Sequence, residues 1–283
     1  MEIKKVGVVG CGTMGSGIVQ VCAQSGYQVI VSEVNDKVLS KGLARIDRFM
    51  SAGVERGKIT QEEKESTISR IKGTADIEEL ATCDLVIEAV IENLDLKKKI
   101  FSELDNICPE STIIASNTSC LSIIDLAAQT SRPQQVLGLH FFNPVPLVEL
   151  LEVVRTIATS EETLEVCRKF GESLGKKIIV APDTPGFIVN RLLLPFMMAA
   201  IRMLESGVAT REDIDTAIKL GLGHPMGPLE LADLTGMDTN LFVAHAIYEE
   251  LKDPSYTPPV LLKKMVTAGW LGRKTGKGFY EYK

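Results

Sequence analysis

The chain has 283 residues, 45% of them hydrophobic, and a formal net charge of −6. That length suits two domains rather than one, since domains run to roughly 100–200 residues. The acidic balance argues against nucleic acid as the main partner, because binding a phosphate backbone leaves a net basic footprint. Any anionic ligand has to be met by local charge.

In chain order, Met1-Glu2-Ile3-Lys4 leads straight into an apolar strand, so no signal or transit peptide is expected. The strand, ending at Val9, breaks into Gly10-Cys11-Gly12-Thr13-Met14-Gly15 where a helix begins, with Ile18, Val21 and Cys22 as its apolar positions. This G-x-G-x-x-G spacing implies a dinucleotide: Gly10 for the tight turn, Gly12 for close approach to a pyrophosphate, Gly15 for helix-on-strand packing. A second strand, Gln28–Ser32, ends at Glu33, twenty-one positions beyond Gly12, the separation expected of a ribose-binding carboxylate. The alternative is a glycine turn that merely joins strand to helix.

Short β-branched runs continue to alternate with helical patterns: Val6–Val9, Val29–Ser32, Ser69–Lys72, Leu85–Ala89, Thr112–Ala115, Val136–Phe141, Leu150–Val153 and Ile178–Val180. We expect the first six to form a doubly wound parallel sheet with crossover helices rather than hairpins. Residues 36–68 read as a pair of helices. The first carries Lys37, Lys41, Arg45 and Arg48 along one face, with Arg56 and Lys58 just beyond. Such a stripe is either a solvated face or a seat for an anion.

After Ala181-Pro182-Asp183-Thr184-Pro185-Gly186 the pattern becomes helical only, which places a linker there. The expected architecture is α/β: a Rossmann-type domain over 1–182 and an all-α domain over 183–283. Its helices are 187–205, buried and kinked by Pro195, then 211–220, 228 into 246–251, and 260–268, before a glycine-rich basic tail, 272–280. The most apolar stretch, Phe187–Ile201, is shorter than a membrane span and contains Asn190 and Arg191. Six cysteines without C-x-x-C or zinc-type spacing suggest free thiols, a reducing compartment and no metal. A soluble, cytoplasmic protein is expected.

A nicotinamide enzyme that oxidises an alcohol needs a base, and histidine suits that near neutral pH. His245 lies inside an apolar helix and His224 in a glycine-rich turn, where structural roles are favoured. His140 ends a strand, and ligands gather at the carboxyl ends of strands in open α/β sheets. Glu152 sits in the apolar run Leu150–Val154, where a carboxylate needs a partner unless the strand is an edge facing water. Paired with His140 it would fix the imidazole's tautomer. Ser119 follows another strand end, as ligand group or helix N-cap, and Asn190 is the one uncharged polar side chain in Phe187–Leu194.

With these residues in view, the chain resembles the 3-hydroxyacyl-CoA dehydrogenase family over nearly its whole length. The likeness rests on Gly10–Gly15, Ser116-Asn117-Thr118-Ser119, His140-Phe141-Phe142-Asn143-Pro144, Asp183 through Arg191, and Lys274 through Tyr280. It implies NAD as cofactor, an acyl-CoA substrate and a homodimer formed through the helical domain. It implies His140 as catalytic base with Glu152 as its partner, and Ser119 and Asn190 as groups bonding the reacting end of the substrate. Glu92, Lys97 and Asn143 match positions on the nicotinamide side, and Lys274 falls in a stretch reaching the same region. Many relatives have aspartate where Glu33 stands, which keeps the charge and changes the fit. A coenzyme A substrate also gives the basic stripe a purpose, with Arg48 and Arg56 as candidate phosphate contacts. The rival readings are a lysine-dependent β-hydroxyacid dehydrogenase and a dinucleotide-binding protein without catalysis.

Overall fold

The computed structural model describes residues 2–282; Met1 and Lys283, the outer ends of the two expected domains, lie outside them. By its internal contacts the chain divides into two compact units, Met1–Asp183 and Thr184–Lys283.

The first unit is built on one sheet of eight strands: β1 (Lys5–Val9), β2 (Gln28–Ser32), β3 (Ile71–Thr74), β4 (Leu85–Glu88), β5 (Ile113–Ser116), β6 (Val136–Phe141), β7 (Leu150–Arg155) and β8 (Lys177–Pro182). Their order across the sheet is β3-β2-β1-β4-β5-β6-β7-β8. Strands β1 to β6 pair in parallel with one another, and the order reverses direction at β1, the switch point where a dinucleotide-binding sheet opens its crevice. The crossovers are α1 (Thr13–Gln24), the expected helix pair α2 (Asp36–Glu55) and α3 (Gln61–Ile68), α4 (Leu94–Ile107), α5 (Ile123–Ala127) and, between β7 and β8, α6 (Glu161–Ser173). Helices on both faces explain why β4 and β6 are buried along their whole length.

Two expectations need correction. The sheet does not stop at six strands, and β7 pairs antiparallel with β6. The connection, residues 142–149, is too short for a crossover, which takes a dozen or more residues, so the chain turns straight back. This reversal sets β6 and β7 side by side with His140 opposite Glu152.

The second unit consists of α7 (Val189–Glu205), α8 (Arg211–Leu222), α9 (Pro228–Thr235), α10 (Met237–Leu251) and α11 (Val260–Thr267). The helix expected from 228 to 251 is two helices, broken at Gly236, whose φ of 98° lies where glycine is favoured. Helix α7 is not buried all round: Leu194, Met197, Met198 and Ile201 are buried, but Leu192 is 71% exposed. Two buried aspartates pin the glycine-rich tail onto the unit's own helices. Asp215 accepts from the N–H groups of Leu229 and Glu230 at the start of α9 and from the Tyr280 hydroxyl. Asp233 accepts from the N–H groups of Phe279 and Tyr280 and from the Tyr282 hydroxyl. Among the described residues no helix is long and apolar enough to cross a membrane.

Candidate active site

The glycine turn after β1 is shaped as its spacing requires. Gly10 has φ 95°, and a Cβ on Gly15 would fall 1.9 Å from the Gly10 carbonyl oxygen, so α1 approaches the turn as only glycine permits. A Cβ on Gly12 would meet nothing within 4 Å, which leaves the backbone open at the helix's positive end. Glu33, at the end of β2, accepts from the Cys11 N–H at 2.6 Å and from the Val34 N–H at 3.1 Å. A cavity of about 720 Å³ runs past Gly10, Gly12, Thr13, Glu33 and Val90. Open backbone at a helix N-terminus beside a carboxylate fits the phosphates and ribose of NAD.

An arginine does reach this loop, by a route the residues after Glu33 do not suggest. Arg45, on α2, donates to the Cys11 carbonyl at 3.4 Å. Cys11 is thus held from both sides, and its thiol is pushed up to about 11, first by burial and then by the Glu33 charge, against the opposing pull of Arg45. All six cysteines are buried thiols outside any disulfide.

At the carboxyl ends of β4 and β5 lies a buried polar cluster. Lys97 is 1% exposed and its ammonium donates to Glu88 at 2.7 Å and lies 3.4 Å from Glu92. Glu88 also accepts from the Ser116 hydroxyl and the Val90 N–H, both at 2.7 Å. Glu92 accepts from the Thr118 hydroxyl at 2.9 Å and from the Ser119 N–H at 2.8 Å, so it fixes the turn that carries Ser119. The cap of α5 falls to Ser122, whose hydroxyl accepts from Asp125, and to Asp183, which accepts from Ile123 and Ile124. Ser119 stands before that helix, half-buried, and is not its N-cap.

Next along the sheet, His140 Nδ1 lies 2.6 Å from Glu152 Oε2, with His140 5% exposed and Glu152 fully buried. Glu152 is therefore not a water-facing edge carboxylate. Asn117 accepts from the Phe141 N–H at 3.0 Å and so joins the turn after β5 to the end of β6. The Phe142 ring leans on the imidazole, 4.4 Å between centroids. Asn143 is exposed on the connection to β7, which buried Lys176 clamps through the carbonyls of Val145 and Val148 at 2.6 and 2.7 Å. Burial lowers the Lys176 pKa.

The first unit thus gathers the glycine loop, Glu33, Glu92, Lys97, Ser119, His140 and Glu152 along one edge of its sheet. Arg48 and Arg56 are exposed, on α2 and at its C-cap. Asn190 lies in the first turn of α7 in the second unit. Lys274 is in that unit's tail, its ammonium 2.5 and 2.7 Å from the Asp238 carboxylate oxygens. Glu88, Asn117 and Lys176 were given no role from sequence, and Arg45 was expected only as part of the basic stripe, not at the Cys11 carbonyl. Glu88 closes the apolar strand β4, and its partners come from other elements; the others act through backbone contacts that sequence spacing does not encode.

A nucleotide cradle at the switch point of a parallel sheet defines a Rossmann-type, dinucleotide-dependent oxidoreductase. Residues 5–184 match the NAD binding domain of 3-hydroxyacyl-CoA dehydrogenase and residues 186–282 its C-terminal domain. The chain belongs to the 3-hydroxyacyl-CoA dehydrogenase family, and its cofactor is NAD. It is 48% identical to a probable 3-hydroxybutyryl-CoA dehydrogenase of Bacillus subtilis, over 100% of this chain and 98% of the relative. Among solved structures it resembles FadB2 of Mycobacterium tuberculosis (TM-score 0.98, 46% identity). It also resembles the (S)-3-hydroxybutyryl-CoA dehydrogenase PaaH1 of Ralstonia eutropha (TM-score 0.95, 45% identity). Each of those two matches covers 100% of both chains.

Proposed function

We propose that the protein interconverts (S)-3-hydroxyacyl-CoA and 3-oxoacyl-CoA, with the four-carbon pair (S)-3-hydroxybutanoyl-CoA and acetoacetyl-CoA as its main substrates. The names of the Bacillus and Ralstonia relatives support the chain length. The observation that carries the mechanism is the buried 2.6 Å contact between His140 and Glu152.

A carboxylate can only accept, so the His140 nitrogen facing Glu152 carries a proton and the other, Nε2, is left as the base. In oxidation His140 takes the proton of the 3-hydroxyl, and Glu152 stabilises the imidazolium that forms. NAD, when bound, accepts the hydride from C3. Ser119 holds the 3-oxygen, and Asn190 orients the thioester end. Gly10, Cys11, Gly12, Thr13, Met14, Gly15 and Glu33 hold the adenosine and phosphates of the cofactor. Glu92, Lys97, Asn143 and Lys274 serve its nicotinamide side, with Lys97 acting from within its buried cluster. Arg48 and Arg56 meet the nucleotide end of coenzyme A. The protein works as a cytoplasmic homodimer.

The test is the NADH absorbance change with acetoacetyl-CoA, followed by steady-state kinetics on 3-oxoacyl-CoA substrates from four carbons to sixteen. Absence of NADH oxidation with every substrate would overturn the reading. A preference for long chains would overturn its four-carbon part.

A further inference from the structure

We infer that Glu92 biases the protein toward the oxidised cofactor, by leaving one uncompensated negative charge beside the nicotinamide end of the site. The inference rests on the function proposed above, and it adds a determinant of redox preference.

The order of groups along the sheet edge supplies the placement. Glu33 ends β2, the glycine loop ends β1, the Glu88–Lys97–Glu92 cluster follows β4, Ser119 follows β5 and His140 is near the end of β6, in strands that neighbour one another in that order. A dinucleotide whose ribose is met at Glu33 and whose phosphates lie over the glycine loop has its other end at β4 and β5. There it borders the group that handles the substrate's proton.

The charge count follows from hydrogen bonding. Glu88 faces three donors: the Lys97 ammonium, the Ser116 hydroxyl and the Val90 N–H. Glu92 likewise faces the Thr118 hydroxyl, the Ser119 N–H and the Lys97 ammonium. Both groups accept as carboxylates. Lys97 is 1% exposed and closest to Glu88, which is fully buried, so that pair neutralises itself. The charge of Glu92, whose side chain is 27% exposed, remains.

A nicotinamide ring is neutral when reduced and carries one positive charge once its hydride has passed to the substrate carbon. A fixed negative charge therefore stabilises the oxidised form selectively, and away from bulk water the attraction is only partly screened. The bound couple becomes more reducing, which favours delivery of hydride to the 3-oxo group while His140 supplies the proton to its oxygen.

Equilibrium dissociation constants for NAD⁺, NADH and ADP-ribose, measured on the full chain and on E92Q and E92D, test this. E92Q is expected to weaken NAD⁺ about tenfold while NADH and ADP-ribose stay within about twofold. That change in the ratio equals a shift of about 30 mV in the bound couple. E92D keeps the charge and should keep the wild-type ratio even if all three ligands weaken together. An unmoved ratio in E92Q, or the same shift in E92D, would overturn the inference. A comparable loss of ADP-ribose affinity in E92Q would do so too, since it would make Glu92 a structural prop. If E92Q does not fold, E92S carries the test in the same sense: loss of the carboxylate should weaken NAD⁺ relative to NADH and ADP-ribose, and an unmoved ratio would end the idea. Turnover of wild-type protein with acetoacetyl-CoA separates the two readings, because an inactive wild type ends the proposed function while an active one with an unmoved ratio ends only this inference.

Discussion

His140 and Glu152 stand directly opposite each other across the antiparallel β6–β7 ladder, and their side chains meet at 2.6 Å. Twelve residues apart in sequence, they are joined by a chain reversal whose backbone pairing also includes Gly138 with Val154 and Phe141 with Leu151. The contact is therefore set by sheet register, and a one-residue slip would turn every side chain of β7 to the other face.

The first prediction follows from that pairing. His140→Ala should lower kcat by at least about a hundredfold, the lower end for loss of a general base, with NADH affinity little changed. Glu152→Gln keeps the shape but offers an amide that can donate to Nδ1, which favours the tautomer with its proton on the wrong nitrogen. Its activity should fall as well, and its pH–rate profile should move. Near-normal turnover in either variant would remove the pair from the mechanism.

Much of this edge was legible in the sequence because each feature has a local signature. The glycine spacing, the acid after β2 and a carboxylate inside the apolar run Leu150–Val154 each imply a partner or ligand on their own. The antiparallel turn was not legible, since β-branched runs do not record strand direction; only the shortness of residues 142–149 hinted at it. Glu88 was hidden for a related reason. Its partners Lys97 and Ser116 arrive from α4 and β5, and only the parallel register of Glu88 with Ser116 brings them together. Arg45 and Lys176 grip backbone carbonyls, for which side-chain patterns carry no sign.

NAD should be strongly preferred to NADP. In the proposed role Glu33 would bond the ribose hydroxyls and repel a 2′-phosphate, and residues 34–36 offer no arginine to receive one. Arg45 is committed to the Cys11 carbonyl on the α2 side of the loop, which leaves Lys37 as the group best able to soften the discrimination. A kcat/KM with NADPH equal to or above that with NADH would contradict this role for Glu33.

Cys11 lies in the glycine loop yet should resist alkylation. With its thiol pushed up to about 11 by burial and then by the Glu33 charge, about one molecule in a thousand is thiolate at pH 8. Iodoacetamide at that pH should leave Cys11 unmodified by peptide mass spectrometry, with labelling rising as the pH approaches 11. Glu33→Gln removes a contribution that raises the pKa, so it should label faster at a given pH. Rapid labelling of the wild type at pH 8 would show that the loop opens far more than its packing indicates.

Ser119→Ala and Asn190→Ala should act mainly on the acyl-CoA half of the reaction. Each should cost about 1–3 kcal/mol if a substrate group is left unpaired in a dry site. Fluorescence titration with NADH is the control. An equal loss of cofactor affinity would assign the residue to the fold or the nicotinamide pocket.

An acidic protein that binds coenzyme A has to meet several phosphate charges with local cations. Helix α2 offers Lys37, Lys41 and Arg48, with Arg56 as its C-cap, all exposed, while Arg45 turns toward Cys11. Exposed cations act on a polyanion through a field that salt weakens over about 10 Å at moderate ionic strength. Charge reversal at Arg48 and Arg56 should therefore raise KM for acetoacetyl-CoA steeply and make the remaining KM less dependent on salt. A truncated thioester that lacks the nucleotide should show nearly the same KM in wild type and variant, because in the proposed mechanism its reacting end needs only Ser119 and His140. Equal effects on the two substrates would place the coenzyme A contacts elsewhere and leave the stripe as a solvated helix face.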